Sequence, residues 1–284
     1  MFSIVAIVSV ILSTVTLCAS AKVAGNNIPD CGPAQKAQIG DVCRVTDLSS
    51  LRPTQFVVGY IEIACRITNI ERLFAKGTSH LEAYLARHQV PVVASARDQA
   101  FFVVDHHHLI SSMMSASIPD SERRVYINVT DAYKHVASEN TFWSSLINNG
   151  QMYSAFPTGT SIPPNFLPKS IDLLLNDVWR GLCYFVRHFG GYLAMPNPPY
   201  FYPDFQWAVF FRANLAGPPS IASGAIQAYC NVNPYATECI GNMTLQKQWL
   251  NATLPLALKL AQSSRAQNLP GFGMGVVDPP NCDM

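Results

Sequence analysis

The chain is poor in charge. Of its 284 residues, 19 are Lys or Arg and 18 are Asp or Glu, which leaves a net charge of +1 with histidine neutral. No basic stripe runs through it. That argues against tight nucleic-acid binding, which depends on neutralising many phosphates at once. No cysteine pair has zinc-finger spacing and no internal repeat is visible, so a small zinc module and a solenoid are both excluded. The apolar run at the start, Phe2 to Leu17, is short and interrupted by Ser and Thr, too little for a membrane span.

That run carries no charge and leads through Cys18-Ala19-Ser20-Ala21 into polar sequence. A small-residue exit after an apolar stretch is the layout of a cleavable secretory signal, predicted here over residues 1–21, although the basic start is missing. A signal anchor is the alternative. Cleavage leaves a secreted, extracellular chain with no membrane attachment and seven cysteines, which an oxidising compartment would pair. Short spacing in turn-rich sequence favours Cys31–Cys43 and Cys230–Cys239. Cys65 and Cys183 sit in helix-like patterns, so one of them is expected to stay a buried free thiol. Three sequons begin at Asn128, Asn242 and Asn251 and predict glycosylation, with Asn128 the least accessible because it falls in a predicted strand.

Residues 22–50 are rich in Asn, Pro, Gly and Ser and read as an irregular arm tied down by Cys31–Cys43. Phe56–Ala75 then follows a helical period, with Ile63, Ile67, Ile70 and Phe74 on one face. Leu81–His88 reads as a short helix, Val90–Ser95 and Ala100–Val104 as buried strands, and His108–Met114 as a helix. Arg124–Val129 is a third strand, Thr141–Asn148 a helix and Gln151–Phe156 a fourth strand. Lys169–Phe189 reads as the longest clean helix, stopped by Gly190-Gly191. Phe205–Leu215 and Thr244–Gln267 are further helices. Strands and helices mixed in the first half, with helices alone in the second, predict an α+β or α/β core followed by a mainly helical half, an α+β chain as a whole.

The most unusual feature is Asp105-His106-His107-His108, three of the chain's seven histidines in a row where a buried strand turns into a helix. A helix N-terminus attracts anions, phosphate above all, and histidine there acts as acid or base near neutral pH. Asp105, His106, His107 and His108 are therefore candidate catalytic residues. Their protonation is expected to strengthen anion binding as the pH falls from about 8 to about 5.5. A divalent metal is the rival reading: adjacent helical residues point about 100° apart, so only Asp105 and His108 would share a face. In the plainest reading Asp105 is an N-cap and the histidines are satisfied polar groups. A second cluster, Arg52-Pro53-Thr54-Gln55 with Gly59 and Glu62, forms a turn into the first helix. Thr54, Gln55 and Gly59 are candidate ligand-binding residues and Glu62 a candidate catalytic carboxylate, whose alternative is a surface pair with Arg66.

Taken together, several segments resemble the ParB-like nuclease family, a branch of the ParB/sulfiredoxin superfamily. They are Arg52-Pro53-Thr54-Gln55, Val58-Gly59, Glu62, Phe102 to Leu109, Phe142-Trp143, Pro168-Lys169-Ser170, Arg180, Gly190-Gly191-Tyr192, Phe205 to Arg212 and Asn268 to Phe272. The resemblance covers roughly residues 50–272. It implies a small α/β ParB/sulfiredoxin-like core over 51–156 and a mainly helical C-terminal extension over 157–284 packed on it. It also implies a phosphate-binding turn at Asp105–His108, with Pro53-Thr54-Gln55 beside it. The chain departs from the superfamily in having no Arg after the histidines, no sulfiredoxin cysteine in the turn and no evident helix-turn-helix. The implied function is a nuclease or another enzyme acting on phosphate esters or nucleotides, its partner a phosphate-bearing small molecule or nucleic acid. The alternative is a non-catalytic secreted module that binds a nucleotide, phosphate or other anion.

Overall fold

The computed structural model describes residues 28–134, 138–157, 159–195, 202–217, 237–280 and 282. The predicted signal segment, Cys230 of the Cys230–Cys239 pair and the side chain of Asn242 lie outside the described residues. The fold is α+β, with a mixed five-stranded sheet in the first half and helices in the second. Strands β1 (Val42–Val45), β2 (Arg52–Pro53), β4 (Val90–Ser95), β5 (Ala100–Val103) and β6 (Val125–Tyr133) lie in the order β1-β6-β4-β5-β2. The β4–β5 hairpin is antiparallel, with Val92 opposite Val103, while β6 runs parallel to β4 and β2 parallel to β5.

Side chains alternate between the two faces of this sheet. Val90, Val92 and Val103 join one core with α1 (Tyr60–Ala75), α2 (Thr78–Arg87) and α3 (His107–Ser115). Val93 and Phe102 point the other way, onto Phe142 and Leu146 of α4 (Glu139–Asn148). A second core gathers α5 (Val178–His188), α6 (Pro203–Asn214) and α7 (Thr237–Ala261) around Trp207, Phe211 and Leu250. Helix α1 belongs to both: Ile63 and Ile70 pack toward the sheet, and Ile61 and Cys65 toward α5. The face predicted from Ile63, Ile67, Ile70 and Phe74 is therefore the sheet-facing one.

Two expectations need correcting. Lys169–Phe189 is not one helix. A 3-10 turn covers Ile171–Leu173, and Leu175–Asn176 forms β7, which pairs in parallel with β3 (Val57–Val58). Only Val178–His188 is α-helical. The break has a cause: Asp177 caps α5 by accepting from Trp179 N at 3.0 Å, and the Leu175 and Asp177 amides donate to Phe56 O and Val58 O. An apolar spacing that looked like one helical face is thus the sum of a turn, a strand and a shorter helix. Among the described residues the longest helix is instead α7, with Pro255 inside it. Gln151–Phe156 is not a strand either; a single bridge joins Ala155 to Ser161, and Tyr153 N donates to Thr54 O.

Cys31–Cys43 pairs as the spacing suggested. Cys65 joins Cys282 across 217 residues, a pairing that no local spacing could reveal, and Cys183 is the buried free thiol. Among the described residues no helix is long and apolar enough to cross a membrane.

Candidate functional site

Helices α1 and α5 cross almost in contact at their first turns. A Cβ added to Gly59 would lie 2.4 Å from Gly181 Cα, and one on Gly181 2.6 Å from Ile61 Cγ2. Two glycines thus let the backbones touch, and the crossing brings Glu62, one turn into α1, against Arg180 at the start of α5. Glu62 is buried. Its Oε1 accepts from Arg66 Nε at 2.8 Å, and its Oε2 accepts from Arg180 Nη1 at 3.0 Å. Arg180 Nη2 reaches Asp204 Oδ2 at 3.1 Å, and Arg187 Nη1 reaches the same oxygen at 3.0 Å. Tyr192 OH donates to Asp204 Oδ1 at 2.9 Å. The result is an alternating ladder, Arg66–Glu62–Arg180–Asp204–Arg187, built from α1, α5 and α6. Each carboxylate has two cationic partners, the condition under which buried charge is tolerated.

The ladder forms the wall of a cavity of about 140 Å³. Asp105, His106 and His108 line it as well, together with Met195 and Pro203. Of the residues selected from sequence, Glu62, Asp105, His106 and His108 therefore converge on one concave site. His107, Thr54, Gln55 and Gly59 are not part of its lining.

His107 and His108 act as staples. His107 Nε2 accepts from Thr54 N at 3.3 Å, and His108 Nε2 accepts from Gly59 N at 2.8 Å. Each ring spends a lone pair on an amide of the turn that leads into α1, which fixes the proton of the neutral ring on Nδ1. Burial holds both neutral. It pushes His107 down to about 3, against the opposing pull of Asp105. His108 lies well below the ordinary imidazole value, chiefly by burial and then through the Arg180 and Arg66 charges. Neither ring gains a proton between pH 8 and 5.5, contrary to the titration expected for the triplet. The 3.3 Å approach of His108 Nε2 to Glu62 Oε2 is then a contact between two acceptors, tolerated because Arg180 and Arg66 hold the carboxylate.

Thr54 and Gln55 are likewise committed to the fold. Thr54 Oγ1 bonds Val103 O and Tyr202 OH, both at 2.5 Å, and Gln55 Nε2 donates to Val57 O at 2.7 Å. Both are buried, and neither lines the cavity.

His106 differs from its neighbours. It sits at the N-cap of α3 in the left-handed region, φ 65°, and is half-buried. Its Nδ1 lies 3.4 Å from Asp105 Oδ2 and has no hydrogen bond among the described residues. Burial alone would raise the Asp105 carboxyl, but His106, through its ring and its backbone N–H at 2.6 Å, holds it below the usual carboxylate range. Arg180 Nε is a second buried donor without a partner among the described residues. No group of three or more His, Cys, Asp or Glu among the described residues is arranged to hold a metal ion.

Arg187 and Asp204 escaped the sequence reading. Their signals were weak ones: Arg180 and Arg187 are seven apart on one helix, and Asp204 follows the Pro that opens α6.

Comparison with known proteins fits this architecture. The crystal structure of protein Atu1540 from Agrobacterium tumefaciens superposes with a TM-score of 0.60 at 25% identity, over 83% of this chain and 98% of that one. No curated protein sequence matches. The sequence profile of the family described as "Putative ParB-like nuclease" matches residues 44–213, which span β2 to β7, α1 to α6 and every residue of the charged ladder. The chain belongs to the ParB-like nuclease family.

Proposed function

We propose that the arginine-lined cavity binds a phosphate-bearing ligand and that the protein hydrolyses phosphate esters of the nucleotide or nucleic-acid class. One observation carries the reading: three guanidinium groups, Arg66, Arg180 and Arg187, line a single cavity together with His106. Guanidinium forks are matched to phosphate geometry. They supply the positive charge that the histidine turn, lacking an Arg of its own, does not.

In this reading His106 is the acid–base group and Asp105 orients it. Water attacks phosphorus and forms the new P–O bond, and its proton passes to His106. The bond to the leaving alcohol breaks, and that alcohol takes a proton from solvent. Glu62 and Asp204 hold the arginines at the cavity wall, which makes them positioning residues. Two disulfides and an N-terminal signal-like segment support an exported protein, and Asn251, exposed on α7, is the best-placed glycan acceptor.

Calorimetry with inorganic phosphate, ADP and a short oligonucleotide, run beside hydrolysis assays, tests the proposal. Arg180→Met should weaken binding by roughly 10- to 100-fold, the value of one charge-assisted hydrogen bond. His106→Gln should abolish turnover and leave binding within a few-fold. Binding without turnover in the native protein favours a non-catalytic anion-binding module. No binding of any probe overturns the reading.

A further inference from the structure

The three elements that carry the charged ladder are tied together by one segment outside it. Residues 270–278 lie as a strap along 188–193. Leu193 N donates to Gly271 O at 2.8 Å, Gly275 N to Gly190 O at 3.0 Å and Asp278 N to His188 O at 2.8 Å, with a bridge between Phe189 and Val277. The contact is close enough to need glycine: a Cβ on Gly275 would lie 2.4 Å from Tyr192 O, and one on Gly271 2.4 Å from Leu193 O.

Three anchors of the strap lie beside cavity residues or within about one turn of them. On α5 it holds His188, next to Arg187. On α6 the indole of Trp207 donates to Pro270 O at 2.8 Å, one turn from Asp204. That indole also stacks at 4.3 Å on Tyr192, whose hydroxyl bonds Asp204. On α1 the strap ends in the Cys65–Cys282 disulfide, and Cys65 lies between Glu62 and Arg66.

We propose that Cys65–Cys282 is a thiol-sensitive clamp. Closed, it holds the strap against α1, α5 and α6 and keeps Arg66, Arg187 and Asp204 in register; opened, it releases the strap and loosens the cavity. Cys282 is only partly buried and a small cleft lined by Lys247 and Thr68 reaches the pair. Opening follows ordinary exchange with a dithiol reductant. One of its thiolates attacks a sulfur of the bridge, the other cysteine leaves as a thiolate and takes a proton, and the second thiol resolves the mixed disulfide. The reductant ends as a disulfide, and Cys65 and Cys282 end as two thiols. The bridge closes a long loop, so its loss also returns considerable freedom to the unfolded chain.

The effect on ligand affinity rests on the anion-binding reading, whereas the effect on the strap does not, so two readouts keep them apart. Hydrogen exchange and phosphate calorimetry are measured on the full chain, on Cys282→Ser and on Gly275→Ala, which lifts the strap with the disulfide intact. In both variants the amides of Leu193, position 275 and Asp278 should lose protection while those of β4 and β6 keep theirs. Phosphate affinity should fall at least about fivefold, the lower end of ordinary coupling between sites. Dithiothreitol should bring the native protein to the Cys282→Ser level and leave that variant unchanged. Retained amide protection in Cys282→Ser overturns the clamp. Protection lost with affinity unchanged overturns its link to the cavity. Protection lost in a protein that binds no phosphate at all supports the clamp and counts against the functional reading alone.

Discussion

If His107 and His108 are neutral staples, acid should unfold this protein through them, and the size of the effect can be worked out. An unfolded histidine titrates near ~6.5, whereas burial holds His107 down to about 3 and His108 well below its ordinary value. A folded value below the unfolded one means that the unfolded chain binds more protons as the pH falls. Stability is therefore fully present above about pH 6.5 and is lost on the way down toward the folded values. Each ring costs about 1.4 kcal/mol per pH unit in that window. From neutrality to pH 5 this amounts to roughly 2 kcal/mol for His107, and His108 adds to it in the same direction. At about 2–4 °C per kcal/mol for a chain of this size, His107 alone should lower the melting temperature by roughly 4–8 °C. The informative comparison is His107→Gln with His108→Gln. A carboxamide oxygen can still accept from Thr54 N or Gly59 N but takes no proton in this range. The double variant should begin somewhat less stable at pH 7 and lose most of the slope between pH 7 and 5. Urea denaturation at a series of pH values reads it directly. A native protein equally stable at pH 7 and 5, or a double variant with the full slope, would refute the assignment of the two rings as buried neutral acceptors.

Other consequences are simpler to state. Gly59→Ala forces a Cβ to 2.4 Å from Gly181 Cα. It should cost about 1–3 kcal/mol or more, seen as a lowered melting temperature, and a stability equal to that of the native protein would mean that the helices do not cross as described. Cys183 is fully buried, and burial pushes its thiol well above the ordinary value. A maleimide should therefore label it only after denaturation, and labelling of Cys183 in the folded protein would contradict the packing of α5. In material from a secreting eukaryotic host, Asn251 should carry a glycan far more completely than Asn128. The reason is that Asn251 is exposed on α7, whereas Asn128 is half-buried in a central strand between β1 and β4. Glycopeptide mapping decides this.

Much of the sheet and its helices was legible because each has a local period. Val90–Ser95 is a β-branched run and is a strand over the same residues, and the four-three-four spacing of Ile63, Ile67, Ile70 and Phe74 marks the face of α1 that meets the sheet. The period misled at Ile171–Phe185. There the apolar positions obey one helical rule, but backbone bonds from Leu175 and Asp177 to the turn before α1 draw the chain into a strand. That competition is tertiary and leaves no periodic trace. Cys65–Cys282 was hidden for the same reason. The candidate site was half legible: an Asp-His-His-His run at a strand-to-helix junction pointed to the part of the fold where the arginine-lined cavity lies. It did not reveal which ring would face the cavity, because that depends on which backbone amides the fold presents to Nε2 of His107 and His108.

The division of labour between histidines and arginines follows from electrostatics. A buried imidazole is a weak base, useful as an acceptor and poor as a cation. A guanidinium keeps its charge at any depth provided that a carboxylate stands beside it. A site inside the fold must therefore draw permanent positive charge from arginines, and those arginines need Glu62 and Asp204 to be stable before a ligand arrives. The balance at the wall, Arg66, Arg180 and Arg187 against Glu62, Asp204 and Asp105, makes the empty cavity close to neutral, with no large field to repel from or attract to it at long range. On the proposed reading, an anion entering it would gain by close hydrogen bonds to the guanidinium groups and less by bulk attraction. The consequence is measurable. Between 50 and 500 mM sodium chloride, phosphate affinity should change far less than it would for an exposed cationic patch, since buried pairs are screened much less than surface ones. A steep fall with salt would locate the binding on the protein surface, away from the ladder.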